Sequence, residues 1–110
     1  MTDLKITSSS EHLRMSRTYL VENADPIKLY PFSEKLIVPD RIVVNTCNGV
    51  EDGVAIYGGQ LLKDGTTSDL EREVRLPYKR AEWPQWVNDL VAEAERDALV
   101  RFPHLRRDTP

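Results

Sequence analysis

Hydrophobic and polar residues alternate through residues 41–76, and this alternation predicts a three-stranded antiparallel meander. The first strand is rich in β-branched residues and ends at Asn48-Gly49, and the second ends at Lys63-Asp64-Gly65. Asn-Gly and Asp-Gly are strong signals for tight hairpin turns. From Thr66 to Leu76, apolar residues fall on one side and acidic residues on the other, which is typical of a half-buried strand.

Two adjacent glycines, Gly58 and Gly59, interrupt the second strand of the meander. Glycine inside a strand commonly marks a β-bulge or the close approach of another backbone. The glycines also change the phase of the alternation, because Ile56 lies on one side whereas Leu61 and Leu62 compete for that side afterwards. A bulge would resolve the conflict.

One amphipathic helix is predicted over residues 83–100. Pro84 fits in its first turn, where a missing backbone N–H costs nothing, and Pro103 ends it. Apolar residues recur at helical spacing and form one stripe. The stripe consists of Trp83, Trp86, Val87, Leu90, Val91, Ala94 and Ala98.

The first forty residues give a weaker pattern. Residues 11–22 fit either a strand or a capped helix, and the β character of Thr18–Val21 favours the strand. Three prolines exclude a long helix from residues 23–40, because each removes a backbone donor and favours extended geometry before it. We expect extended segments there, at a sheet edge or wrapped around the core.

These elements predict an α+β fold, with an antiparallel sheet of four to five strands and the C-terminal helix packed on one face. A sheet with one apolar face must bury that face against another layer. The chain of 110 residues is expected to form a single domain, 1–110, with flexible ends at 1–10 and 103–110. The predicted inward residues are Ile42, Val44, Val54, Ile56, Leu70, Val74 and Leu76 on the sheet, and Trp86, Leu90, Val91 and Ala94 on the helix.

Composition narrows the classes of function. The chain is 40% hydrophobic and 30% charged, with a formal net charge of −3. These values are typical of a globular protein and argue against a dedicated nucleic-acid binder. The single cysteine, Cys47, excludes an intramolecular disulfide and a cysteine metal cluster. We recognise no signal peptide and no membrane span, so we expect a cytoplasmic protein.

No residues stand out at a catalytic or metal-binding spacing. The segment Gly58–Thr67 does not match a phosphate loop, because its lysine precedes the last glycine and strands flank it. Cys47 with His12 or His104 is a nucleophile and base in principle, but a cysteine at a strand end is more often a small apolar residue. We therefore expect no enzyme activity, no cofactor and no metal.

Apolar residues outside the helix stripe indicate a protein-binding surface. Leu99, Val100 and Phe102 lie off the stripe, and Trp83 precedes a proline, where its cover is incomplete. The sequence thus favours a small non-catalytic protein-binding module, which is an accessory, adaptor or inhibitor protein. Its partner is expected to be another protein or a second copy in a symmetric homodimer.

Charged residues offer two further candidate surfaces. Asp69, Glu71 and Glu73 share one strand face, which is either solvated or a binding face for a basic partner. Arg72 points with the apolar side, so it lies at a sheet edge or in a buried ion pair. The alternative function, nucleic-acid binding, would use a basic end. That end comprises Lys79, Arg80, Arg101, Arg106 and Arg107.

Overall fold

Five strands and one α-helix form within residues 12–105, the part of the chain that the computed structural model describes. The strands are β1 (Arg14–Leu20), β2 (Ile27–Lys28), β3 (Leu36–Cys47), β4 (Val50–Leu61) and β5 (Thr67–Val74). The helix α1 spans Gln85–Arg101, and 3-10 turns at Arg80–Glu82 and Pro103–Leu105 flank it. Within residues 12–105, no helix is long and apolar enough to cross a membrane.

All strand pairs are antiparallel and follow the order β1-β3-β4-β5, and β2 pairs with the start of β3. The α+β prediction, the β3-β4-β5 meander and the strand alternative for residues 11–22 are thus confirmed. β3 begins at Leu36 rather than at residue 41. Pro39 is tolerated inside β3 because the register shifts there, which interrupts the hydrogen-bonded ladder. Most of the predicted flexible ends, 1–10 and 106–110, lies outside the described residues.

A bulge at Asp40 keeps β3 in phase with the core. Pro39 and Arg41 pair with neighbouring residues of β4, so Asp40 between them has no paired residue on β4. The extra residue inverts the alternation of side chains. Odd-numbered residues are buried before the bulge and even-numbered residues after it, as Ile37 and Ile42 show. One face of β3 therefore stays buried and apolar on both sides of the bulge.

Gly58 and Gly59 lie where the backbones of neighbouring strands crowd together. A Cβ on Gly58 would come within 1.9 Å of the Val38 carbonyl oxygen, and a Cβ on Gly59 within 2.2 Å of the Ser68 carbonyl oxygen. Only glycine fits at either position without moving a strand. The register of β4 against β5 also shifts between Gly59 and Leu61. The predicted close backbone approach is confirmed, but the predicted bulge in β4 is not, because the extra residues at these register shifts lie in β3 and β5.

The core lies between α1 and the face of the sheet that α1 covers, which we call the helix face. Nearly all of the predicted inward residues are buried there or pack against the buried cluster. The buried apolar residues are Leu29, Ile37, Ile42, Val44, Ile56, Val74, Val87, Val91, Ala94 and Ala98. Leu29 and Ile37 are additions to the predicted set, and both come from the proline-containing segment before the meander.

The prediction that Leu70 faces the core is wrong, because its side chain is 68% exposed. Between Gly59 and Leu61 of β4, the paired residues in β5 change from Glu71 to Thr67. Residues 68–70 of β5 therefore oppose a single residue of β4. Leu70 lies in the resulting bulge on the edge strand β5, where its side chain is not covered.

Separate replacement of Ile56 and Leu70 by alanine tests this register. We expect Ile56→Ala to lower the free energy of unfolding by about 2–5 kcal/mol, because Ile56 is fully buried between α1 and the sheet. Leu70→Ala is the matched control and should change stability by less than about 0.5 kcal/mol, because it removes an exposed side chain. Chemical denaturation measures both effects, and equal losses would contradict the register of β5.

Candidate protein-binding surface

The face of the sheet opposite α1, which we call the open face, has no helix over it. In residues 12–105, α1 is the only α-helix, and its buried residues pack on the helix face. The strand register assigns side chains to the open face, because residues paired directly across a sheet share a face. Val43 pairs with Ala55, and Arg41 pairs with Tyr57, so these four side chains belong to it.

The centre of the open face is apolar. β3 and β4 supply most of it, and Leu20 at the end of β1 is 82% exposed. The other side chains of the centre are half-buried by their neighbours in the sheet. The apolar centre consists of Leu20, Leu36, Val38, Val43, Ala55, Tyr57 and Leu61.

Sequence reasoning missed the apolar centre, although β3 carries a signal for it. The run Ile42-Val43-Val44 is continuously apolar instead of alternating. Continuous apolar runs are typical of strands that are covered on both faces. The β propensity of valine and isoleucine also explains the run, so only the register shows that Val43 faces away from α1.

Charged residues on the open face are ordered across the sheet. The strand register places basic residues of β1, β2 and β3 on this face, together with acidic residues of β5. Asp52 of β4 also lies on it, because it forms an ion pair with Arg14. In order across the sheet they are Arg14 on β1, Lys28 on β2, Arg41 on β3, Asp52 on β4, and Glu71 and Glu73 on β5. The open face thus has a basic edge with Arg14 and Lys28, an acidic edge with Glu71 and Glu73, and an apolar centre that also contains Arg41 on the central strand β3.

Two ion pairs hold these charged groups over the sheet. Arg41 Nη2 donates to Glu71 Oε1 at 3.1 Å, and the guanidinium carbon of Arg41 lies 4.4 Å from the centroid of the Tyr57 ring. Arg14 Nη1 donates to Asp52 Oδ2 at 3.1 Å. Exposed pairs of this kind contribute little to stability. Their main effect is to position the long arginine side chains.

The structure brings together two of the three predicted acidic residues. Glu71 and Glu73 are exposed on the open face, where both pair with residues of β4. Asp69 lies in the bulge of β5 and has no paired residue on β4. The open face therefore carries two of these acidic side chains in register with β4, and not the three that the alternation predicts. Arg72 is half-buried on the helix side of the edge strand β5, beside Gly58, which agrees with the edge interpretation.

The apolar residues predicted for partner binding do not form one surface. Trp83 is half-buried, packs against the core and donates from Nε1 to the Pro77 carbonyl oxygen at 2.6 Å. Leu99 and Phe102 are half-buried, and Val100 is 64% exposed. The end of α1 lies about 24 Å from Trp83, as the helical rise of the intervening residues requires. Of the predicted partner-binding residues, only those at the end of α1 therefore remain a candidate apolar patch.

The two described arginines of the predicted basic end do not converge. Arg80 lies before the start of α1, and Arg101 is its last residue. Each is engaged in an ion pair, Arg80 with Glu95 at 3.8 Å and Arg101 with Asp97 at 3.3 Å. The remaining candidates are Lys79, which is exposed, and Arg106 and Arg107, which lie outside the described residues.

His12 and Cys47 meet at one end of the open face. His12 Nδ1 lies 3.8 Å from Cys47 Sγ, which is a long hydrogen-bond contact for a sulfur atom. His104 instead makes an edge contact with Phe102, with ring centroids 6.5 Å apart. In the described part of the chain, no three His, Cys, Asp or Glu side chains are grouped so that they could hold a metal ion. The absence of catalysis stays a prediction.

An ion pair on the helix face links β1 to α1. Arg17 Nη1 donates to Asp97 Oδ2, and Arg101 Nε donates to the same oxygen at 3.3 Å. The hydrogen bond from Arg17 is the largest cause that holds the pKa of Asp97 below its ordinary value of 3.8. Because β1 also carries part of the basic edge, this pair helps to fix the position of that edge.

The variant Asp97→Asn tests the pair through its pH dependence. Asp97 has a lower pKa in the folded chain than in the unfolded chain, so its contribution to stability is complete above about pH 4 and is lost as the pH falls below that value. We expect the wild-type chain to lose more stability than Asp97→Asn between about pH 5 and about pH 3. Urea denaturation at each pH measures the two slopes, and identical slopes would contradict the pairing.

A comparison with protein-family models, with curated proteins and with solved structures finds no match to this chain. The functional argument therefore depends on the residues described above. Among the candidate surfaces, the open face alone combines an apolar centre with exposed charges of both signs and has no helix of residues 12–105 over it.

Proposed function

We propose that this protein is a small, non-catalytic protein-binding module that binds its partner through the open face. The observation that carries the proposal is the apolar character of β3 on both sides. Val38 and Val43 lie on the open face, whereas Ile37 and Ile42 are buried on the helix face. Strands that are apolar on both sides are typical of sheets covered on both faces. Within residues 12–105, α1 covers only one of them.

The chemistry of the open face defines the partner that fits it. Its centre requires an apolar surface, because burial of apolar area supplies most of the driving force in association. Its edges require acidic groups opposite Lys28 and basic groups opposite Glu71 and Glu73, an order that gives orientation and specificity. The partner is therefore a folded protein surface with an apolar centre between charges of opposite sign. A nucleic acid fits less well, because its phosphates would be repelled by the acidic edge.

The size of the open face is sufficient for a specific but moderate interaction. β3 and β4 have 12 residues each, which corresponds to a length of about 40 Å. Three to four neighbouring strands give a width of about 15 Å, so the face covers about 600 Å². Standard protein complexes bury about 800 Å² on each partner, and weaker ones bury less. We therefore expect reversible binding.

The variant Val43→Lys tests the open face, and Val100→Lys is its matched control. Val43→Lys places a charge in the apolar centre, whereas Val100→Lys makes the same change on the exposed side of α1. We expect the immobilised wild-type chain and Val100→Lys to retain one stoichiometric protein from nuclease-treated lysate of the source cells. Val43→Lys should retain at least about tenfold less, because the interface would bury an unpaired charge. Mass spectrometry measures the retained protein.

Circular dichroism and thermal unfolding of both variants show first that the fold is preserved. If only Val100→Lys loses binding, the partner binds at the end of α1 and not at the open face. Equal retention by both variants would refute binding through either surface. A partner that disappears on nuclease treatment would instead favour nucleic-acid binding.

A further inference from the structure

We infer that the surface covering the open face is the open face of a second copy of this chain, related to the first by a two-fold axis parallel to the strands. The inference rests on the proposed function, because it names the occupant of the same surface. The order of the charges across the open face carries it.

A two-fold axis that runs along the strands, midway between two stacked sheets, exchanges the two edges of the sheet. β5 of one copy then lies over β1 and β2 of the other, and β4 lies over β3. Glu71 and Glu73 of the acidic edge thereby meet the basic edge of the second copy, which carries Lys28. Because the axis is two-fold, the same set of contacts forms twice.

The strand register identifies the residues that would approach each other. Arg41 and Glu73 lie at the same level along the sheet, because both pair with Tyr57. Lys28 and Glu71 lie two residues apart in level, which is about 7 Å along the strands. Across the interface, Arg41 of one copy would therefore approach Glu73 of the other while it keeps its ion pair with Glu71 of its own chain. Lys28 would approach the Glu71 carboxylate of the other copy.

Two other symmetric arrangements are unfavourable. A two-fold axis across the strands would stack the acidic edge on the acidic edge, and Glu71 and Glu73 would face the same carboxylates of the second copy. Repulsion between like charges in such positions disfavours this arrangement. Edge-to-edge pairing through β5 is blocked by the bulge at residues 68–70 and by its charged side chains, both of which prevent addition of a strand.

Cys47, the single cysteine of the chain, distinguishes the two stacked arrangements. It lies on the open face at the last position of β3. With the axis along the strands, the two Cys47 Cα atoms lie about 11 Å apart, given a sheet separation of about 10 Å and a strand spacing of about 4.8 Å. With the axis across the strands, they lie at opposite ends of the dimer, about 33 Å apart along the strands.

Sedimentation and crosslinking of the full chain test the inference. We expect concentration-dependent dimers, which a short bismaleimide links through Cys47. Glu73→Lys should raise the dimer dissociation constant at least about tenfold, because two lysines would face two arginines. Glu93→Lys makes the same charge change on an exposed position of α1 and should leave the constant unchanged.

Mixing two variants gives a test that loss of folding cannot imitate. Arg41→Glu should also weaken the dimer, because it places a carboxylate opposite Glu73. A mixture of Arg41→Glu and Glu73→Lys chains should form mixed dimers with nearly wild-type affinity, because opposite charges face each other again at both contacts. Circular dichroism verifies that each variant is folded before mixing.

The outcomes separate this inference from the proposed function. If the chain stays monomeric but captures a different protein, and Val43→Lys abolishes that capture, the proposed dimer is wrong and the proposed function stands. A dimer that does not link through Cys47, or that is weakened by Glu93→Lys and not by Glu73→Lys, would overturn the axis. Intact dimerisation and intact capture with Val43→Lys would overturn both.

Discussion

The packing of α1 against a longer sheet is the constraint on which the rest of this structure depends. α1 has 17 residues and is therefore about 25 Å long, whereas the paired strands β3 and β4 extend about 40 Å. One helix covers one face and not its full length. Leu29, from the segment between β2 and β3, is also buried in the core, and the open face is left without a helix of the described residues over it.

Small side chains bring α1 close to the sheet, and bulkier ones complete the cover at its start. Val91, Ala94 and Ala98 are fully buried, so the helix axis approaches β3 and β4 closely. Trp83 extends the cover beyond the first turn and is held by its hydrogen bond to the Pro77 carbonyl oxygen. The Arg75 N–H donates to the Leu29 carbonyl oxygen at 2.8 Å, which ties the proline-containing loop to the end of β5.

Register shifts allow this sheet to be apolar on both sides without losing its core. The bulge at Asp40 inverts the alternation of β3, and the positive φ of Gly53 lies at a second shift, in β4. Each extra residue returns the next apolar side chain to the helix face. The same shifts determine which charged residues reach the open face. The strand pairing thus determines the order of the charges across the open face. Both the proposed function and the proposed dimer depend on this order.

The sequence by itself determined the elements whose signals are local. Asn48-Gly49 and Asp64-Gly65 specify hairpins, and the apolar stripe of residues 83–100 specifies a helix, because turn chemistry and helical periodicity involve only near neighbours. Alternation also identified Glu71 and Glu73 as part of a candidate surface. These signals were sufficient for the α+β class and for most of the core.

Only the tertiary structure decided how the strands are aligned and which face is left open. The exposure of Leu70 and the burial of Ile37 follow from bulges, and a bulge depends on the strand that lies opposite. Val43 and Arg41 could not be recognised as surface residues from their own strand, because valine fits either face and the face that α1 covers is set by long-range packing. The open face could therefore not be recognised from the sequence, since it is the face of the sheet that α1 does not cover.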